Sequence, residues 1–154
     1  MENKLKVYLA SPFFTPEQIG RLSMVEDIAG VIFEVYSPRK QFQFKSGTKP
    51  SKEDAKKVLE ANHNAIEASD FIISITDDKD LGAIYECGYA SKAKIPIIYC
   101  AFTLGDKPFN LMLAETGIAV VKYYCDLISV LYIIKTKGLD SEELKKFQYQ
   151  GNVE

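Results

Sequence analysis

The stretch Asp77-Asp78-Lys79-Asp80-Leu81-Gly82-Ala83-Ile84-Tyr85-Glu86-Cys87-Gly88-Tyr89-Ala90 gathers the side chains best suited to chemistry. Glu86 stands out. Between Leu81 and Lys92 it is the sole ionisable group apart from two tyrosines and a cysteine, and its neighbours are Ile84, Tyr85, Cys87 and Tyr89. A carboxylate in such surroundings loses hydration, which is costly unless it is paired. Asp80 supplies a second acid upstream. Gly88 costs ~1 kcal/mol inside a helix, so a close approach to that helix is expected. On pattern alone the stretch also reads as a polar turn before a capped helix. Glu86 would then be a favourable charge near the positive helix end, worth ~0.3–1 kcal/mol. The surrounding elements decide between the two readings.

Phe71-Ile72-Ile73-Ser74-Ile75 before it is a buried strand by composition, starting at Asp70, and the pattern from Ala83 to Lys94 is helical. Upstream, Leu5 to Ala10 reads as the first strand, and Ser11-Pro12-Phe13-Phe14 ends it. Thr15, Pro16 and Gln18 form a capping box with proline at the first helical position. Ile19, Leu22 and Val25 give that helix an apolar face, and Gly30 stops it. Val31 to Tyr36 reads as the second strand. The long polar loop from Ser37 to Pro50 carries Gln41, Phe42, Gln43 and Phe44 and shows no element of its own, which in a compact domain often marks function. Ser51 opens the second helix, which carries Asn62, His63 and Asn64. Ile95 to Cys100, Ile118 to Tyr123 and a helix from Asp126 to Lys137 follow. The tail Phe147-Gln148-Tyr149-Gln150-Gly151 is polar-aromatic and hard to bury on its own chain.

Alternating strands and helices predict an α/β fold, a five-stranded parallel doubly wound sheet with helices on both faces. The expected strand order is 2-1-3-4-5, flavodoxin-like, with the switch point between strands one and three. Tyr8 and Phe13 lie at or after strand one, and Asp80 and Glu86 follow strand three. One crevice would collect them all.

The 154 residues fit a single domain, residues 1–154, long enough to bury a sizeable core. A net charge of −2 with no basic stripe argues against a nucleic acid polymer as partner. Cys87, Cys100 and Cys125 are too widely spaced for a zinc motif and read as reduced core thiols. The lone His63 has no metal-ligand partner at helical spacing and reads as a surface or capping residue, so no metal is expected. The start, Met1-Glu2-Asn3-Lys4, leads straight into a strand with no signal-peptide core, and no apolar run is long enough to span a membrane. A cytoplasmic location is the expectation.

The turn after strand one is Ala-Ser-Pro-Phe-Phe, with no glycine-rich loop and no P-loop, so dinucleotide and P-loop readings fail. The first strand has no acidic pair near its end, which disfavours a receiver domain. One histidine cannot plausibly build a Ser-His-Asp set. Carboxylate chemistry in an aromatic-walled pocket remains, and it suits glycosyl transfer.

Three segments then carry a resemblance: Tyr8-Leu9-Ala10-Ser11-Pro12-Phe13-Phe14; Asp80-x-Gly82-x3-Glu86-x-Gly88-Tyr89-Ala90; and Lys107-Pro108-x-Asn110-Leu111-Met112. In order and approximate spacing they resemble the nucleoside 2-deoxyribosyltransferases over nearly the whole chain. The resemblance implies that Glu86 is the nucleophile at the anomeric carbon and that Tyr8 holds it by its hydroxyl. Asp80 would bind sugar hydroxyls or assist proton transfer. Phe13 would stack on the base and Gln41 would hydrogen-bond to it. Asn110, with Met112 close by in the substrate-binding set, would reach a neighbouring subunit's site and contact the sugar. Substrates would be 2′-deoxyribonucleosides and free nucleobases, in salvage, with no cofactor and in a homo-oligomer, a hexamer. The family commonly carries an Asp beside the base where this chain has Asn62. An amide can hydrogen-bond but cannot deliver a proton. Two alternatives stand beside this reading: a nucleoside or nucleotide N-glycosidase of the same fold, and a non-catalytic nucleotide-sensing module.

Overall fold

The computed structural model describes residues 3–42 and 47–154. Its elements are β1 (Lys6–Ala10), α1 (Pro16–Gly30), β2 (Glu34–Tyr36), α2 (Pro38–Gln41), α3 (Lys52–Glu67), β3 (Phe71–Ile75), α4 (Leu81–Lys92), β4 (Ile97–Cys100), α5 (Leu111–Thr116), β5 (Gly117–Val121) and α6 (Tyr124–Lys137), then a 3₁₀ turn over Glu142–Phe147. The five strands run in the order β2-β1-β3-β4-β5, and every pair is parallel. This is the expected doubly wound sheet, with β1 and β3 side by side at its centre.

Side chains alternate across a strand, so each strand feeds two cores. Val7 and Leu9 of β1, with Phe71 and Ile73 of β3, meet Leu22 and Val25 of α1 and Leu127 and Leu131 of α6. Tyr8, Ala10 and Ile72 point to the other face, against Ile66 of α3 and Ala83, Cys87 and Ala90 of α4. The inward face of α4 is made of small residues, which lets the helix lie close to the sheet. Tyr8 is thereby committed to the α4 side, in register with Ile72 and Tyr36.

Several boundaries differ from the sequence reading for identifiable reasons. β2 is three residues long. Ile32 and Phe33 turn their N–H groups back to the carbonyl of Ala29, and sheet pairing starts only when Glu34 N donates to Leu5 O at 2.9 Å. Gly82 is helical, not a turn residue, because Asp80 caps α4. Glu86 therefore lies in the second turn of that helix. Within the loop expected to be featureless, Pro38–Gln41 form one helical turn, while Gln43 and Phe44 lie outside the described residues. Cys125 is exposed, unlike the buried Cys87 and Cys100. A Cβ at Gly88 would meet nothing within 4 Å, so the close approach expected there is not made by the described residues.

The tail also departs from expectation. Phe147 packs on the α1–α6 core, and the Tyr149 ring lies 5.4 Å from that of Phe109. Val153 bridges Phe109 in parallel, with Phe109 N donating to Asn152 O and Glu154 N to Phe109 O, each at 3.0 Å. Aromatic faces and backbone pairing together give the polar-aromatic segment a place on its own chain. Among the described residues no helix is long and apolar enough to cross a membrane.

Candidate active site

Tyr8 is the middle residue of β1, and Glu86 comes from α4, which packs on the face that Tyr8 points to. Tyr8 Oη donates to Glu86 Oε1 at 2.8 Å. The Tyr8 side chain is fully buried. Burial, then the charge of Glu86, push its phenol far above the usual tyrosine range, so the hydroxyl stays a donor. Burial also pushes the Glu86 carboxyl up, to about 7. The Tyr8 bond opposes this, and the negative charge of Asp80 adds to it. The sequence reading has the helix N-terminus keeping Glu86 ionised. In the second turn that field has weakened, and desolvation outweighs it.

Asp80 is the N-cap of α4, its Oδ2 accepting from Ala83 N at 2.9 Å. One residue thus starts the helix and sets a negative charge facing Glu86. Tyr36 joins the pair from β2. Its ring stacks on Tyr8 with centroids 5.4 Å apart and planes at 13°. Burial and the Glu86 charge both raise its phenol. The sequence reading misses Tyr36. The signal was available, since parallel pairing of adjacent strands sets Tyr36 opposite Tyr8 on one face.

The remaining candidates are less tightly gathered. Phe13 lies in the loop after β1, partly buried against the α1–α6 core, with its ring 5.0 Å from that of Phe14. Gln41 is exposed at the end of α2. Asn62 is on α3, and its Oδ1 is buried without a hydrogen-bond partner in the described structure. Next to it, His63 stacks flat on Tyr89 with centroids 4.0 Å apart, and its Nε2 lies 2.9 Å from Tyr85 Oη. His63 is thus a bridge between α3 and α4.

Asn110 and Met112 border a separate cleft. It measures about 620 Å³ and lies at the carboxyl ends of β3 and β4, with Asp77, Leu81 and Ile84 on its opposite wall. Tyr8 and Glu86 do not line it. Asn110 caps α5, its Oδ1 accepting from Met112 N at 3.0 Å and Leu113 N at 3.2 Å. That leaves its amide N–H groups free of the cap. Met112 is 69% exposed beside it. Within one chain the structure therefore brings Tyr8, Tyr36, Asp80 and Glu86 together, while Asn110 and Met112 border a cleft that Tyr8, Tyr36 and Glu86 do not line. Among the described residues no group of three or more His, Cys, Asp or Glu side chains is placed to hold a metal ion.

The nucleoside 2-deoxyribosyltransferase family model matches residues 7–121, from β1 through β5. The chain belongs to this family. Its structure is similar to that of a 2-deoxyribosyltransferase from Bacillus psychrosaccharolyticus, with 25% identity and a TM-score of 0.70 over 82% of this chain and 95% of that one. A conserved protein from Enterococcus faecalis shares the fold at 18% identity and a TM-score of 0.67, over 84% of this chain and 98% of the other. A CMP N-glycosidase from Clostridium botulinum shares it at 16% identity and a TM-score of 0.54, over 83% and 98%. A search of curated protein sequences gave no match. The Tyr8–Glu86 pair stands at the sheet's switch point, where α/β folds place their ligands.

Proposed function

We propose that this chain transfers the 2-deoxyribosyl group between nucleobases through a covalent intermediate on Glu86. The observation that carries this is the Tyr8–Glu86 hydrogen bond at the switch point. The ionised Glu86 attacks C1′ as the bond from C1′ to the base nitrogen breaks. The electron pair leaves with the base, which takes up a proton. A second base then attacks C1′ of the glycosyl ester from the opposite face and releases Glu86 as carboxylate. Two inversions give net retention. Tyr8 aims one oxygen by donating to the other, and its fixed protonation prevents it from competing as a base. Asp80 binds the sugar hydroxyls or assists proton transfer. Phe13 and Gln41 serve the base, and Asn62 lies at its edge.

Asn110 and Met112 belong to a neighbouring copy's site under this reading, in a homo-oligomer, a hexamer. Their placement away from Glu86 of the same chain supports that assignment. Closing the site against water is what separates transfer from hydrolysis. The Arg21 guanidinium is held by Asp78 at 2.7 Å. It is thus engaged within the chain, which supports nucleosides over 5′-phosphorylated nucleotides as substrates.

The test is incubation of a 2′-deoxynucleoside with a different free base, followed by chromatography. New nucleoside is the expected product. Free sugar alone would make the protein a hydrolase, and no change would make it a binding module. Asn62 offers a second check. Replacing Asn62 with Asp should alter the pH profile and the purine-to-pyrimidine ratio while activity persists. Unchanged values for both would remove Asn62 from the base site.

A further inference from the structure

Glu26, on α1, is a carboxylate only 5% exposed that the reaction above does not use. Its Oε1 accepts from Ser37 Oγ at 2.6 Å and from Arg39 Nε at 2.8 Å. Its Oε2 accepts from Arg39 Nη2 at 2.5 Å and lies 3.2 Å from Lys40 Nζ. Arg39 Nη2 also donates to Ser23 Oγ of α1 at 2.9 Å. Burial pushes the Glu26 carboxyl up, but the bonds from Arg39, Ser37 and Lys40 outweigh it and hold it below the usual carboxylate range. A buried carboxylate needs such partners to be tolerated at all.

The Glu26 partners Ser37, Arg39 and Lys40 all come from one short run, Ser37 to Lys40. The run is the N-cap and body of α2, a helix of four residues. A single turn is unstable alone, since nucleation is the unfavourable step of helix formation. The Ser37 hydroxyl makes no capping bond to α2 and is spent on Glu26 instead. What holds α2 in place is therefore α1. The two residues flanking this gripped run are Tyr36, stacked on Tyr8, and Gln41.

We propose that Glu26 and Arg39 form a positioning clamp that fixes α2 from behind, so that Gln41 is presented to the nucleobase. This rests on the function proposed above. Arg39 suits the task because its planar fork engages both carboxylate oxygens at once, a geometry that lysine cannot reproduce.

The experiment is a double-mutant cycle between Arg39→Lys and Gln41→Ala. KM and kcat are measured with a panel of free adenine, hypoxanthine, cytosine and thymine, and base affinity is measured by calorimetry. Arg39→Lys keeps the charge and loses the fork. It should raise KM for the best base by about tenfold with a much smaller change in kcat. In the Gln41→Ala background the same change should have less than about a twofold effect, because residues acting through one another are not additive. Ser37→Ala, which removes one donor, should shift KM in the same direction by less. It serves in place of Arg39→Lys if circular dichroism shows that variant unfolded. An unchanged KM in a folded clamp variant, or an equal KM effect with and without Gln41, would overturn the clamp. A wild type that binds bases but transfers none overturns the proposed reaction, and the cycle on affinity still decides the clamp.

Discussion

Replacing Glu86 with Gln should abolish transfer and make the protein more stable at alkaline pH. The loss follows from removing the proposed nucleophile at constant size, and covalent routes collapse without it, so about 10³-fold or more is expected, at least ~4 kcal/mol of barrier. The gain follows from linkage. The folded carboxyl titrates at about 7 against an ordinary 4.5. A carboxyl raised in the folded state contributes its full stability below the unfolded value and loses it as pH rises through the folded one. The wild type should therefore lose up to about 3 kcal/mol from this group between those two values, and the Gln variant should not. At pH 8 the variant should melt higher by roughly 6–12 °C, and at pH 4.5 the two should coincide. Thermal scans of both proteins across pH check this, since other carboxylates cancel in the difference. A 2′-fluorinated deoxynucleoside should leave a sugar adduct on the wild-type peptide containing Glu86, found by mass spectrometry. An adduct elsewhere, or normal transfer by the Gln variant, would take Glu86 out of the reaction.

Replacing Tyr8 with Phe should move the pH dependence of transfer to higher pH. The free enzyme's kcat/KM should rise with pH on a limb set by Glu86, near 7 in the wild type. The Tyr8 hydroxyl favours the ionised carboxylate, and a hydrogen bond to a charged group is worth ~1.5–3 kcal/mol. Without it the limb should climb by about one to two pH units. Transfer at pH 7 should fall roughly tenfold from protonation alone and recover in part by pH 9. The ring of Phe keeps the contact with Tyr36, so packing is largely spared. A uniform loss at every pH would mean that Tyr8 positions substrate rather than tuning Glu86.

The sheet order was readable because each strand is a short apolar run closed by a turn or cap. Where the strands end put Tyr8 and Glu86 in one crevice, and the resemblance supplied the contact between them. Side chains whose place depends on distant partners were not readable. Tyr36 looked like the end of a strand until its register with Tyr8 was known. Nothing in the sequence around Glu26 marks it as buried, because its partners lie on a different element. The turn that supplies its partners has no sequence period of its own. The ionisation of Glu86 was read with the wrong balance because Asp80, by capping the helix early, moves Glu86 one turn inward from the helix end. Asn110 and Met112 were assigned through resemblance, and a single chain sets them on a different cleft.

The Tyr8–Glu86 bond joins residues 78 positions apart. Of the five strands, β1 leaves the ribosome before the others, with both of its edges unpaired. β2 covers one edge early. The other waits for β3, and Glu86 follows only with α4. During synthesis β1 therefore carries an open apolar edge until β3 emerges, the kind of surface that invites aggregation and chaperone binding. The same order means that no shorter nascent chain holds Glu86 against Tyr8, so that pair forms only once β3 has joined β1 and α4 has followed.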